Sequence, residues 1–478
     1  MKTANLIKRF KPLVICACAG GILAGCAAGF MATPTRKPAE TTAVRVRQTA
    51  TLLPATPTET ETPSPQPSTT TSPTPLPAGR IHILADPAQQ DRLVESGLIA
   101  DFEKKYPGIR LVWSVPVLAT TAEPGEPGSS SQPGAWDVAF VDDVSLAGFL
   151  AGGQAADLSN LAASDLQEAL TYKQSLVRHG STILALPLDA QPAALFYRRD
   201  VFEKAGLPAD PDKVEGLLAT WGDYENICRQ VKQRTGLECF ANNGPFNSGR
   251  LFQVLAWQSG SALADPEGRL TLNSPELVAG LDLMSRFWRA KLVSDATEWT
   301  SDWVDQVADP KSPLATEIES CQFADYLKTW IAPDLGGEWG VVPIPAVTAG
   351  GSRSAGMGGT NLVMAAGTQN RDAAWAFMQF VATGDQEKLC AHSACVPAIR
   401  SDASLRTGKP DPYFAGQDLT ALFDSIGAEI PPTGVLSPGW QNAQPAVLQA
   451  IHQVAAGASA LNALNKAQLE ISATPAPK

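Results

Sequence analysis

Between Ala27 and Gly79 the chain is almost wholly Thr, Pro, Ser, Ala and Glu, with Phe30 its only aromatic. Such a stretch buries too little apolar area to offset the entropy of ordering its backbone, so no packed core is expected there. Whatever folds must begin near Arg80. Proline-rich sequence favours extended polyproline II, and at about 3.1 Å per residue this tether reaches at most about 160 Å. It reads as a leash for a globular body or as an O-glycosylated stalk, and both are tethers.

What precedes the tether says where the body is held. Lys2, Lys8, Arg9 and Lys11 lead into an apolar stretch from Pro12 to Ala24. A span needs about 20 apolar residues, so this run is too short to cross a bilayer. A positive start, a short apolar centre and small residues at the end describe a signal peptide, residues 1–25. Leu23-Ala24-Gly25-Cys26 resembles the lipobox of bacterial lipoproteins, in which the cysteine is acylated and becomes the mature N-terminus. The resemblance implies an extracytoplasmic protein on the outer face of a bacterial membrane, lipid-anchored through Cys26.

The remaining chain, about Arg80 to Ile471, is long for one core and suggests two lobes. Removing residues 1–25 takes away four cations and no acid, moving the formal charge from −11 to −15. Such acidity argues against nucleic acid and other polyanions as partners. Cys228, Cys239, Cys321, Cys390 and Cys395 stay in the oxidising exterior, an odd set with at least one free thiol. Cys390 and Cys395 flank His392, an incomplete tetrahedral set for zinc. A local Cys390–Cys395 disulfide is favoured over a metal, with Cys228–Cys239 second, and sequence leaves the connectivity open.

Arg80–Ala85 has a buried-strand pattern, and Asp91–Tyr106 a helical one that Pro107-Gly108 ends. Ile109–Val115 and Trp136–Val141 are further strands, separated by a Gly/Pro/Ser insert at 119–134. Strands alternating with helices predict an α/β body with a largely parallel sheet.

The order of motifs resembles the extracellular solute-binding proteins of ABC importers, the family that includes maltose-binding protein. Phe102-Glu-Lys-Lys-Tyr-Pro-Gly-Ile109 is similar to that family's first helix turning into its second strand. Trp136–Asp143 followed by Ala156-Asp-Leu158 resembles its next strand–helix unit. Leu186-Pro-Leu-Asp189 through Leu195-Phe-Tyr197 to Leu207-Pro208, then Thr220-Trp221, resembles the first crossing between lobes. Trp339–Pro345, Gly358-Gly-Thr-Asn361 and Ala373–Phe377 match later segments, and Trp440–Ile471 the terminal helices.

The resemblance implies a two-lobed periplasmic-binding-protein-like type II fold behind a disordered tether at 26–79. Lobe 1 would comprise 80–188 and 362–421, and lobe 2, with the first crossover, 189–361 and the terminal helices 422–471. A tail, 472–478, follows. Function would be capture of a mono- or oligosaccharide for an ABC permease by a monomer with no cofactor. The alternatives are a surface carbohydrate-active hydrolase, or a sensor or adhesin on the same scaffold.

A sugar site needs flat apolar faces and fork-like polar groups. Trp440 stands where the family places a stacking ring, with core packing as the alternative. Asp142 and Asp143 follow a strand directly, at the end where α/β ligands bind, or else cap a helix. Asp189 and Gln191 lie in the first crossing, and Gly358, Gly359 and Asn361 in the second, where glycine allows close approach or a torsion change. Asn242, Asn243 and Phe246 follow a strand in a Gly/Pro loop, where turn chemistry competes with binding. Trp257 sits in a helical apolar run and leans toward core. Gln322 belongs to Glu319-Ser-Cys-Gln-Phe323, which replaces the family's tryptophan-bearing element.

Catalytic signatures are missing. No Gly-x-Ser-x-Gly run and no His-Glu-x-x-His occurs, and His82, His179, His392 and His452 are scattered. Two glycosidase carboxylates need no local motif, so only that chemistry stays open to sequence. The expectation is a binding protein.

Overall fold

A computed structural model describes residues 76–115, 136–241, 245–259, 269–311, 313–390, 394–400, 406, 408–432 and 440–473; for 245–249, 386, 440–442 and 473 it describes the backbone alone. Fourteen strands are described: β1 Gly79–Leu84, β2 Ile109–Ser114, β3 Val138–Asp142, β4 Arg178–His179, β5 Thr182–Ile183, β6 Leu186–Pro187, β7 Asp189–Ala190, β8 Ala193–Arg198, β9 Phe240–Ala241, β10 Val293–Ser294, β11 Thr316–Ser320, β12 Trp339–Pro343, β13 Thr360–Met364 and β14 Val396–Pro397.

The first lobe is built on a five-stranded sheet in the order β2-β1-β3-β13-β6. β1 runs parallel to β2 and β3, while β13 pairs antiparallel with β3 and β6. Val138, Ala139, Phe140 and Val141 are all buried, as a strand covered on both faces requires. The predicted single helix over 91–106 is instead two, Pro87–Glu95 and Leu98–Lys105. Gly97 separates them at φ 80, a left-handed conformation that glycine adopts without steric cost. The turn aims Phe102 inward, edge-on to Phe377 with ring centroids 5.3 Å apart.

The second lobe holds an antiparallel three-stranded sheet, β11-β8-β12. Every residue of β8 is buried. Phe196 at its centre meets Phe323 edge-on at 5.1 Å, and Phe414 and Phe423 both lie 6.4 Å from it. Segment 412–414 thus already packs on the second sheet. Cys228 is bonded to Cys239 and Cys390 to Cys395, leaving Cys321 free and buried.

Between the sheets, chain segments run side by side. Leu188 N–H donates to Thr360 O at 2.9 Å, Met357 N–H to Gln191 O at 2.8 Å, and Ala193 N–H to Ala355 O at 2.9 Å. On the other flank β14 pairs with β7, and Ala398 N–H donates to Leu188 O at 3.1 Å. The crossing is a small hydrogen-bonded ribbon. Among the described residues no helix is long and apolar enough to cross a membrane.

Candidate functional site

The ribbon carries a buried polar network. β3 ends at Asp142, and Asp143 turns inward beneath the ribbon, its N–H donating to Gly359 O at 3.0 Å. Asp143 Oδ1 accepts from Asn361 Nδ2 at 2.8 Å and from the fully buried Lys173 Nζ. Burial pushes the Asp143 carboxyl upward, and the Lys173 charge opposes that push. Asp189 is fixed from two directions, accepting from Thr360 N–H at 2.8 Å and from Arg92 Nη1 at 2.5 Å. It therefore ties both crossings to the helix Pro87–Glu95.

Glycine is required at the centre of this network. A Cβ on Gly359 would stand 2.7 Å from both Lys173 Nζ and Asp189 O and 2.9 Å from Asp143 Oδ2, at a backbone φ of 138°. One on Gly358 would meet Gln191 Oε1 at 2.5 Å. At Gly356 the neighbours are aromatic, with the Trp257 ring 3.4 Å and the Tyr172 ring 3.8 Å from such an atom. Three buried polar atoms here make no hydrogen bond of normal geometry: Asp143 Oδ2, Tyr172 Oη and Trp257 Nε1. Burial, then the nearby Asp143 and Asp189 charges, pushes the Tyr172 hydroxyl well up, so it keeps its proton. The Tyr172 hydroxyl faces the Asp143 carboxyl, and the Trp257 indole N–H is left without a hydrogen bond, beside a glycine-lined strip.

A second group lies in the other lobe, on the strand that reaches the ribbon. Cys321, which follows β11, donates its N–H to Pro192 O at 3.0 Å. Near this end Trp299 packs on Trp303 with centroids 5.0 Å apart, on Tyr326 at 5.5 Å and on Trp330 at 6.5 Å. Trp299 has φ 62, a strained backbone for a bulky residue. Its indole N–H donates to Glu319 Oε1 at 3.2 Å, and that of Trp303 to Glu317 Oε1 at 3.1 Å. Trp330 is 43% exposed, so the aromatic group opens to solvent.

The model of the family described as bacterial extracellular solute-binding protein matches residues 97–411. The chain belongs to this family. Among curated relatives of this solute-binding protein, the arabinooligosaccharide-binding protein of Bacillus subtilis (strain 168) is 26% identical over 307 residues, 61% of this chain. One of the same name from Halalkalibacterium halodurans is 26% identical over 268 residues, 54% of this chain. The chain spans 66% and 57% of those two proteins' lengths. Among solved structures, an extracellular solute-binding protein of family 1 superposes with a TM-score of 0.68 at 18% identity, over 83% of this chain and 99% of that one. The sugar-binding protein MalE of Xanthomonas citri gives 0.65 at 18% identity, over 82% and 96%. These likenesses establish the two-lobed fold.

Of the residues singled out from sequence, Asp143, Asp189, Gln191, Trp257, Gly358, Gly359 and Asn361 come together at the crossing of this solute-binding protein. Asp142 is exposed and caps the turn after β3, accepting from Val144 N–H and Ser145 N–H, both at 2.9 Å. Gln322 is half-buried and precedes the short helix Phe323–Tyr326. Asn242 and Asn243 lie outside the described residues, as does Cys26. Phe246 and Trp440 fall on the helices Pro245–Gln258 and Trp440–Ala455, with side chains outside the described set. Among the described residues no group of His, Cys, Asp and Glu is arranged to hold a metal.

Sequence reasoning missed Arg92, Tyr172, Lys173 and the Trp299 group. Thr171-Tyr-Lys carries no motif. Two signals stood in the sequence: acids alternating at Glu317 and Glu319 within a strand, and aromatic pairs four apart at Trp299/Trp303 and Tyr326/Trp330.

Proposed function

We propose that this protein captures a small carbohydrate between its two lobes and delivers it to an ABC permease, held outside the cytoplasm by an acylated Cys26. The observation that carries this is the gathering of the Asp143 carboxyl, the Tyr172 hydroxyl that faces it and the Trp257 ring, whose buried Nε1 makes no hydrogen bond, beside Gly356–Gly359. Unmade hydrogen bonds on buried groups cost about 1–3 kcal/mol each, and a ligand bearing several hydroxyls satisfies acceptors and donors alike. The glycines let the backbone approach that ligand closely. Trp257 and Tyr172 supply apolar ring area beside these polar atoms, as sugar C–H faces require. Relatives named for arabinooligosaccharide, and a structural neighbour solved with lacto-N-biose, support the same ligand class.

In this proposal lobe 1 comprises 80–188 and 362–411, and lobe 2 comprises 189–361 and 412–471, because Phe414 and Phe423 pack on Phe196 of the second sheet. The monomer closes because ligand bridging both lobes selects the closed state, so neither cofactor nor covalent step is needed. Capture is tested by a thermal-shift screen of the full chain against sugars, polyols, amino acids and peptides. A ligand at 100 times its Kd stabilises by about 2.7 kcal/mol. If only amino acids or peptides raise the melting temperature, the carbohydrate assignment fails. Anchoring is tested separately: Cys26→Ser is expected to leave the protein uncleaved or freely secreted, and an unmodified Cys26 in intact mass spectra of membrane fractions refutes acylation.

A further inference from the structure

The groups at the crossing leave unused three buried glutamates beside the lobe 2 tryptophans. Strand alternation sets Glu317 and Glu319 on one face of β11, opposite Phe196 and Ala194 of β8. That face packs into an apolar cluster with Trp303, Phe323 and Trp339, where a carboxyl is costly without partners. Glu319 has them: Trp299 Nε1, its neighbour Ser320 N–H at 3.2 Å, and Arg250 at 3.4 Å. Glu317 uses Oε1 on Trp303 and its carboxyl also faces the backbone N–H of Ala241, while Oε2 makes no hydrogen bond of normal geometry. Glu298 is 2% exposed, and neither of its oxygens has a hydrogen bond.

Arg250 thus faces Glu298 and Glu319, and three buried oxygens of the cluster make no hydrogen bond of normal geometry. Glu298 immediately precedes Trp299, whose left-handed backbone holds its ring against Trp303, Tyr326 and the exposed Trp330. A desolvated aromatic face attracts cations. An alkylammonium group brings positive charge and three N–H donors to carboxyls that have too few of either.

We propose that this cluster is a subsite for a protonated amino group on the bound carbohydrate, with Glu298 Oε1, Glu298 Oε2 and Glu317 Oε2 as its acceptors and the Trp299 and Trp330 faces beside it. The inference rests on the carbohydrate assignment above and narrows it to amino sugars. Burial, together with repulsion from Glu317 and Glu319, favours the protonated Glu298 carboxyl when no cation is present, and Arg250 opposes this only in part. The ammonium ion takes over the role of those protons, which pass to the buffer.

The test is calorimetric titration of the full chain at pH 7 with three matched pairs: glucosamine and glucose, galactosamine and galactose, and the β-1,4-linked glucosamine disaccharide and cellobiose. The expected result is at least tenfold tighter binding of the amine in one or more pairs. Proton release is expected for the amine alone, read as a difference in heat between Tris and phosphate buffers. Glu298→Gln should bring the affinity ratio near one and abolish the release. Glu317→Gln should lower the ratio in part, and decides the matter should Glu298→Gln fail to fold. Neutral sugars binding as tightly as their amines, or a ratio unchanged in the variants, overturns the inference and leaves carbohydrate capture standing. Binding of no member of any pair, with peptides or amino acids stabilising the protein instead, overturns both.

Discussion

Lys173→Met isolates the network on which the crossing rests. Lys173 is fully buried and Asp143 is 2% exposed, so water cannot replace the lost ammonium. In the variant Asp143 keeps the Asn361 bond at 2.8 Å but loses the Lys173 cation that faces it. Breaking one side of a buried ion pair costs about 3–5 kcal/mol. At about 2–4 °C per kcal/mol for a lobe-sized unit, the melting temperature falls on the order of 10 °C. The sign with pH follows from Asp143. Without Lys173 its folded pKa lies above the unfolded value, so the penalty is small below the unfolded pKa and grows as pH rises through the folded one. Calorimetric melts of both proteins at pH 5 and pH 8 should therefore show a larger gap at pH 8. The pair replaced together, Asp143→Leu with Lys173→Leu, should cost clearly less than Lys173→Met alone, because no charge is left buried. A Lys173→Met cost below about 1 kcal/mol, or a gap independent of pH, would refute this account of the network.

Three further outcomes are expected. Gly359→Ala drives a methyl group onto Lys173 Nζ, Asp189 O and Asp143 Oδ2; it should lower the melting temperature and weaken ligand binding at least about tenfold, both read on one purified sample. Glu298 has a pKa raised by burial and by Glu317 and Glu319, so its contribution to stability is present in acid and is lost as pH rises through the folded pKa. Glu298→Gln should accordingly gain melting temperature over wild type at pH 8 and lose that advantage toward pH 5. Trp440→Ala should weaken sugar binding by about 2–4 kcal/mol and Trp440→Phe by much less, whereas a lower melting temperature with unchanged affinity would make the residue core.

Local patterns and long-range contacts were unequally legible in the sequence. Strand β3 announced itself through an apolar run, because burial on both faces leaves no room for polar residues, while β1 and the edge strand β2 showed apolar residues interrupted by the exposed Arg80 and Arg110. The break at Gly97 was missed because its flanks, Leu93 and Val94 before it and Leu98 and Ile99 after, continue an apolar spacing that hides one left-handed residue. At the crossing, residues beside glycines or after strand ends could be picked out by position. Lys173 could not. Its partner Asp143 lies 30 residues before it and Asn361 188 residues after it, and nothing in Thr171-Tyr-Lys marks a cation for burial. The Trp299 group was hidden in the same way: its platform assembles residues 299, 303, 326 and 330 from different elements around a strand whose glutamates read as surface.

The place of β13 has a consequence for how the protein is made. It lies between β3 and β6 in the first sheet, yet all of the second sheet is encoded before it. Until Thr360–Met364 has emerged, β3 has an unpaired edge and Asp143 lacks its Asn361 partner, 218 residues downstream. Contacts of such long range slow folding and leave open strand edges exposed to mispairing. A nascent chain therefore cannot finish its first sheet early, and that sheet stays open until about three quarters of the body has been synthesised.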